Sequence, residues 1–364
     1  DDSAMIESFA NDPNINYKLH AEANLKNAYP AVQFQLTADT INLHALHLVK
    51  DSIKFSGIMY GDFLNTNPDT LEGALHIANA VINYNGRSIT TDSLALIASR
   101  PGDSIQLISL VAEMAKMKLE GQYKLTEMAT ALQHTINKYY HIPGFKDTAF
   151  TPQEWNLQLH AQTSPLILEM MPALKGTDSL QASMFYKSSS NEINIQANAP
   201  LIQYDDQKIE NLNLQVLTEN NQLKYAASVS KAGQKGFQLY ETSLAGYVKD
   251  SLITASLLLK DKNDKMRYRL AGGLQQPSQG IRFSLYPDSL MLNYDNWQVT
   301  EDNFIQYDSS GIIAHNFNIS HDDQALQINS QALSAQAPLE IVFNHFRIKT
   351  LTEFADQDSL LVDG

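Results

Sequence analysis

The stretch "NLNLQVLTENNQLKYAASVS" (residues 211–230) carries the pattern that decides the fold. Successive side chains in a strand point to opposite faces, so apolar residues at every second position are typical of a strand with one buried face. Here they fall at Leu212, Leu214 and Val216, then, after Asn220-Asn221, at Leu223, Tyr225, Ala227 and Val229. The stretch therefore predicts two strands joined by a turn.

The tripeptide Asp-Ser-Leu, or its variant Asp-Ser-Ile, precedes the same alternation elsewhere in the chain. Asp and Ser bond to nearby backbone groups and favour turns. Each copy therefore predicts a turn that leads into a strand in a fixed register. Their spacing indicates a weak repeat of a unit of three or four strands. The seven copies begin at Asp51, Asp92, Asp103, Asp178, Asp250, Asp288 and Asp358.

Composition excludes several classes of protein. The 364 residues carry a net charge of −14, which argues against binding to nucleic acid or to an anionic membrane surface. No apolar run reaches the length of about 18 residues that a membrane-spanning helix needs. Cysteine is absent, which fits a bacterial cytoplasm or envelope better than a large secreted eukaryotic protein.

The turn signals predict an all-β chain, an antiparallel meander with two or three short helices. Asn85-Gly86, between two alternating runs, is a strong hairpin signal. Helical periodicity predicts one amphipathic helix over about 126–141 and a short one over about 164–175. A third candidate lies near Leu351 and Phe354. We predict a β segment over 1–142, a loop-rich boundary over 143–163 and a second β segment over 164–364.

Strands that are apolar on one side must keep that side away from water, either inside the protein or against something that the protein binds. The sheet can pair with another as a sandwich, close into a membrane barrel, or curl into an open groove with an apolar lining. A helix in mid-sequence disfavours the barrel, and the single break in the chain favours one continuous sheet over several sandwiches. The residues alone leave the sandwich core as the alternative to the groove.

Four stretches resemble a known family. They are "IKFSGIMYGDFLNTNPDTLEGALHIANAVINYNGRSITTDSLAL", "MKLEGQYKLTEMATALQHTINKYYHIPG", "SPLILEMMPALKG" and "DSLMLNYDNWQVTEDNFIQYDSSGIIAHNFNIS". Their order resembles the AsmA-like, TamB-type (translocation and assembly module) proteins of Gram-negative bacteria, particularly those of Bacteroidota. The chain is similar to a central part of such a protein, with the signal or anchor outside the sequence given.

The resemblance implies a long β-groove (a β-taco) in the periplasm or cell envelope. The full protein is then anchored in the inner membrane and takes part in phospholipid transport to the outer membrane, in assembly and secretion of outer-membrane proteins, or in both. The implied partners are the acyl chains of phospholipid, an outer-membrane barrel and unfolded outer-membrane proteins. The alternative is a multi-sandwich protein for adhesion or glycan binding at the cell surface.

The groove hypothesis assigns a lining to the alternating apolar positions. A continuous apolar floor would remove most of the cost, about 13 kcal/mol, of taking a 16-carbon chain through water. The predicted lining residues are Phe34, Leu36, Ile53, Phe55, Leu75, Ile77, Leu94, Leu107, Leu157, Leu159, Ile193, Ile195, Leu212, Leu214, Tyr268, Leu270, Leu290 and Leu292.

Catalytic and metal sites find little support in the sequence. His44 and His47 are three residues apart, a spacing that places them on opposite faces of a strand, and no Cys or carboxylate cluster joins them. The acidic turns lack the Gly and the terminal Glu of a calcium loop. Neither a phosphate-binding glycine loop nor a nucleophile elbow occurs. We expect no enzyme activity, no cofactor and no metal.

Overall fold

The fold is all-β. A computed structural model describes residues 2–102, 104–234, 237–277 and 280–345, without the side chains of Asp92 and Phe237. Strands make up 64% and helices 8%, and the strands form an open antiparallel sheet with two short α-helices. The predicted fold class is confirmed. The helix candidate near Leu351 and the copy of the tripeptide at Asp358 lie outside the described residues.

The chain divides into two compact units. The first contains residues 1–133 and 147–192, and the second contains residues 134–146 and 193–364. Residues 143–163, predicted to be rich in loops, contain a full strand, Glu154–Ala161, which pairs on both sides. Its alternation of Trp155, Leu157 and Leu159 with polar residues is the signal that marks it as a strand.

Strands β1–β11 belong to the first unit, in which each described pairing is antiparallel. Helix α1 begins in this unit and ends in the other. The strands are β1 (Ser3–Asp12), β2 (Ile15–Asn24), β3 (Ala31–Asn42), β4 (Ile53–Asn65), β5 (Glu72–Tyr84), β6 (Arg87–Ser99), β7 (Gln106–Ala112), β8 (Ala115–Gln122), β9 (Glu154–Ala161), β10 (Leu174–Thr177) and β11 (Leu180–Lys187). The helices are α1 (Met128–Tyr139) and α2 (Pro165–Met170).

Strands β12–β25 belong to the second unit, apart from the first residue of β12. They are β12 (Glu192–Tyr204), β13 (Gln207–Glu219), β14 (Gln222–Gln234), β15 (Phe237–Lys249), β16 (Leu252–Lys260), β17 (Met266–Gln275), β18 (Ile281–Leu285), β19 (Leu290–Leu292), β20 (Asp295–Val299), β21 (Phe304–Asp308), β22 (Gly311–His315), β23 (Phe317–His321), β24 (Gln324–Ser330) and β25 (Leu339–Asn344).

The turns that the sequence predicts are mostly present. Asn85 and Gly86 both have positive φ angles, 48° and 87°, and join β5 to β6 as a tight hairpin. The copies of the tripeptide at Asp51, Asp178, Asp250 and Asp288 each stand immediately before a strand. The copy at Asp92 is an exception, because the hairpin at Asn85 has already started β6, and residues 92–94 lie inside that strand.

The two predicted helices are present and shorter than expected. A 3-10 turn, Leu125–Glu127, leads into α1. Ser164 caps α2, its hydroxyl accepting a hydrogen bond from the amide of Ile167, and the helix ends at Met170, ahead of Pro172. Within the described part of the chain, no helix is both long and apolar enough to cross a membrane.

A closed core lies in the last strands of the second unit. Side chains of β18, β19, β20 and β23 form it, and partly buried side chains of β18, β19, β21 and β24 pack against them. Its buried members are Leu285, Leu290, Trp297, Val299, Phe317 and Ile319. Asn303, itself buried, joins the loop before β21 to β18 through hydrogen bonds with the amide and the carbonyl of Leu285. This part of the chain buries its apolar side chains against one another.

The burial of Tyr123, directly after β8, leads us to expect a loss of stability at alkaline pH. Its side chain is 3% exposed, and burial raises the pKa of its phenol to about 12. Because the folded pKa lies above the unfolded value of about 10, the stabilisation is complete below about pH 10 and is lost as the pH rises towards 12. We expect the free energy of unfolding to fall by roughly 2–3 kcal/mol over this range.

Urea unfolding of the wild-type protein and of Tyr123→Phe between about pH 9 and 11.5 measures this contribution. Other tyrosines titrate in both proteins, so the difference between the two curves isolates Tyr123. Parallel curves would show that the phenol ionises equally well in the folded and unfolded chain.

Candidate functional site

One face of the first unit carries apolar side chains in register from β1 to β11. Directly opposed residues on neighbouring antiparallel strands lie on the same face, so the pairing registers define rows of side chains across the sheet. The row that we call the central row crosses ten strands without a polar side chain. It consists of Ile6, Ala21, Phe34, Gly61, Leu75, Leu96, Leu110, Met117, Leu159 and Ala182.

Two parallel rows, each two residues away along the strands, extend this surface. The first contains Ala4, Ala23, Val32, Phe63, Gly73, Ala98, Ile108, Leu119, Leu157 and Met184. The second contains Ser8, Leu19, Leu36, Met59, Ile77, Leu94 and Ala112. We call the three rows the apolar face of the first unit. Its one hydroxyl group belongs to Ser8.

The opposite face of the same strands is polar. A row displaced by one residue from the central row contains Glu7, His20, Gln35, Tyr60, His76, Ala95, Val111, Lys116, His160 and Gln181. His20 lies 3.6 Å from Glu7 and 3.2 Å from Glu22, and all three side chains are exposed. The two faces therefore differ sharply in their affinity for water.

The first turns of helix α1 cover one end of the apolar face. Trp155 and Tyr186, opposed on β9 and β11, continue that face beyond Leu157 and Met184. Their ring centroids are 5.2 Å apart, and the Tyr186 hydroxyl donates a 2.7 Å hydrogen bond to the carbonyl of Ala131 in α1. All the described strand pairings of the first unit belong to one sheet, and this contact joins helix α1 to it.

The second unit repeats the arrangement across β12–β17. One row of opposed residues consists of Ala197, Leu214, Ala227, Leu244, Leu257 and Leu270. Leu214, Leu244 and Leu270 are 39%, 38% and 36% exposed. A depression of about 360 Å³ is lined by the first four residues of this row and their neighbours. We call this row the apolar row of the second unit.

The structure brings most of the predicted lining residues onto these surfaces. In the first unit, Phe34, Leu36, Leu75, Ile77, Leu94, Leu157 and Leu159 lie on the apolar face. Phe55 opposes Ile41 and Ile82, and with Ile53 it continues the same face of β4. In the second unit, Ile195, Leu212, Leu214 and Leu270 share one side of their strands. Ile193 and Tyr268 have the same alternation but are buried.

Three predicted lining residues lie elsewhere. Leu107 opposes Ser99 and Glu120, on the polar side of the sheet, because the register places Ile108 and Leu110 on the apolar side. A shift of one residue moves every side chain of a strand to the other face. Leu290 is a buried member of the closed core around Trp297, its partner on β20, and Leu292 packs against that core.

Several residues of the central row were not predicted. Leu96 continues the alternation that starts at the predicted residue Leu94, whereas Leu110 has the opposite parity to the predicted Leu107 and Met117 lies in a strand for which no lining residue was predicted. Ala21 and Gly61 are small, and single small residues carry little hydrophobic signal in a sequence. Only the pairing register shows that they lie between large apolar side chains.

Metal ligands do not cluster in the described residues. No group of three or more His, Cys, Asp or Glu side chains there is placed to hold a metal ion. His44 and His47, which we expected on opposite faces of a strand, lie instead in the turn after β3, where His47 has a φ of 59°.

Comparison with known proteins leaves these surfaces as the principal guide to function. No family model, curated protein or solved structure matches the chain. The resemblance to AsmA-like, TamB-type proteins therefore stays a prediction.

Proposed function

We propose that this chain binds the acyl chains of phospholipid on the apolar face of its first unit and on the apolar row of its second. The observation that carries the proposal is the central row, which crosses ten strands without a polar side chain. A sheet whose two faces both met water would be expected to interrupt such a row with polar residues, because exposed apolar area raises the risk that protein molecules associate.

The dimensions of the central row suit an acyl chain. Neighbouring strands are about 4.8 Å apart, so a row of ten strands is roughly 43 Å long. An acyl chain fills about half of a bilayer core that is about 30 Å thick. Each methylene group gains about 0.8 kcal/mol on leaving water, so a 16-carbon chain gains up to about 13 kcal/mol.

The distribution of charge favours the acyl chain over the headgroup as the part that is bound. The three rows of the apolar face contain no Lys or Arg, the side chains that bind phosphate. The charged side chains of the same strands, such as Lys116, Lys118 and Glu120, stand on the opposite face. A bound lipid would therefore keep its headgroup in water while its tail lies on the sheet.

The resemblance to TamB-type proteins extends this proposal to a role in the cell. A periplasmic protein that binds acyl chains along a sheet would carry phospholipid between the inner and outer membranes. A role in the assembly or secretion of outer-membrane proteins, with an outer-membrane barrel or unfolded barrel proteins as partners, stays a prediction. The multi-sandwich alternative also stays a prediction.

Mass spectrometry of an organic extract tests the proposal. We expect phospholipid in the extract of the 364-residue chain purified from the periplasm of a Gram-negative host. After delipidation, the protein should bind cis-parinaric acid, an 18-carbon fluorescent fatty acid. Absence of phospholipid from the extract, together with absence of parinaric acid binding by the folded protein, would exclude the proposed function.

A further inference from the structure

Phe34 and Gly61 form an unusually close pair in the central row. They oppose each other on β3 and β4. A Cβ atom added to Gly61 would lie only 2.2, 2.7 and 2.8 Å from three carbons of the Phe34 ring. The ring therefore lies over Gly61 and fills the space in which any other residue at this position would place its Cβ atom. Gly61 is not among the glycines with a positive φ, so its backbone conformation does not require glycine.

Three further glycines oppose an aromatic residue on a neighbouring strand. Gly73 opposes Phe63, and Gly121 opposes Trp155, in the first unit. In the second unit, Gly246 opposes Tyr225. At these three glycines an added Cβ atom would meet a backbone carbonyl oxygen first, and the side chain of the aromatic residue would lie 2.8 Å away, so only at Gly61 are the three nearest atoms all in an aromatic ring. Four large aromatic residues thus each have a glycine as cross-strand neighbour on the apolar side.

We propose that Gly61 is a positioning residue for the acyl-binding surface: it lets the Phe34 ring lie against the sheet and keeps the central row open. This inference rests on the proposed function. A ring that lies low offers its face to a bound chain, whereas a ring that stands away from the sheet occupies the volume that the chain needs. The glycine thus sets the depth available above β3 and β4.

The other neighbour of Phe34 in the central row cannot replace Gly61. That neighbour is Ala21 on β2, whose methyl group already fills the space next to its backbone. Side chains occupy staggered rotamers, so a ring displaced from Gly61 must swing over Ala21 or stand away from the sheet. In either position it is raised by at least the thickness of a methyl group.

The substitution Gly61→Ala tests the inference with the full chain and cis-parinaric acid as the probe. We expect the affinity to fall about tenfold, the equivalent of roughly two methylene groups losing contact with the surface. The variant Phe34→Leu/Gly61→Ala should recover most of the affinity, because the shorter side chain does not meet the new methyl group. Gly176→Ala is the matched control, since nothing lies within 4 Å of a Cβ atom there.

Binding by Gly61→Ala equal to that of the wild-type protein would overturn the inference and leave the proposed function intact. Absence of probe binding by the wild-type protein would overturn both. Thermal unfolding of each variant shows whether it is folded.

Glycine-selective carbon-13 NMR of the wild-type protein tests the geometry without any change at Gly61. The Hα atoms of Gly61 should be shifted upfield by the ring current of Phe34, and the shift should vanish in Phe34→Leu. An unshifted Gly61 signal would overturn the inference even where Gly61→Ala fails to fold.

Discussion

Replacing Leu75 with Asp is expected to abolish the binding of acyl chains to the first unit. Leu75 lies in the middle of the central row, with Gly61 on one side and Leu96 on the other. A carboxylate there must lose water when a hydrocarbon chain covers it, and the penalty is several kcal/mol for each ion. We expect the affinity for cis-parinaric acid to fall by about a hundredfold or more, and phospholipid to be depleted from the purified protein.

The matched control is His76→Asp. It introduces the same residue one position further along the same strand, so any cost that Asp imposes on a strand is shared by the two variants. His76 is exposed on the polar face, opposed to Tyr60 and Ala95. Its replacement should leave probe binding within about twofold of the wild-type value, a free-energy change under about 0.5 kcal/mol. Equal loss in the two variants, or full binding by folded Leu75→Asp, would contradict an acyl site on the apolar face.

Leu75 is a better position for this test than two other predicted lining residues. Leu292 packs against the closed core, so a charge there would destabilise the fold whatever the face of the first unit binds. Phe55 lies near the irregular pairing of β4 with β3 and β5, where its ring contacts the position of a Cβ atom on Gly57. A loss of binding in either variant would have two explanations.

The period of two residues was sufficient to predict the fold class and most of the apolar positions. Strand β3 shows why: Val32, Phe34, Leu36 and Ala38 alternate with polar residues, the first three lie on the apolar face, and Ala38 continues the same side of the strand. It was less certain which of the two alternating sets of residues in a strand faces the apolar side. In β7, apolar residues occur at both parities, and only pairing with β6 and β8 decides that Ile108 and Leu110, and not Leu107, face the apolar side.

What covers an apolar face could not be predicted from the sequence. Leu214 and Leu290 both belong to alternating runs, yet Leu214 is 39% exposed and Leu290 is 3% exposed. The difference arises because Leu290 belongs to a buried cluster with Trp297, its partner on the neighbouring strand β20, and with Phe317 and Ile319 of β23. Such a cluster depends on which strands come together, which the alternation within one strand does not encode. The glycine–aromatic pairs are hidden for the same reason, because each joins two strands through their register.

Replacing Trp155 with Ala is expected to cause a large loss of stability in the first unit. Trp155 is 2% exposed and lies against Tyr186, whose hydroxyl holds the carbonyl of Ala131 in α1. Truncation of a buried Trp leaves a cavity and costs about 3–5 kcal/mol. The free energy of unfolding in urea should fall by that amount, and the amides of α1 should exchange with solvent faster than in the wild-type protein.

Tyr186→Phe separates the hydrogen bond from the packing at the same contact. It removes the hydroxyl group and leaves the ring beside Trp155, so we expect a loss of only about 1 kcal/mol. Since the amide exchange of α1 reports on the docking of the helix, it should rise slightly in Tyr186→Phe and strongly in Trp155→Ala. If Trp155→Ala costs less than about 1 kcal/mol, or if α1 remains fully protected, the helix is held to the sheet by contacts other than this aromatic pair.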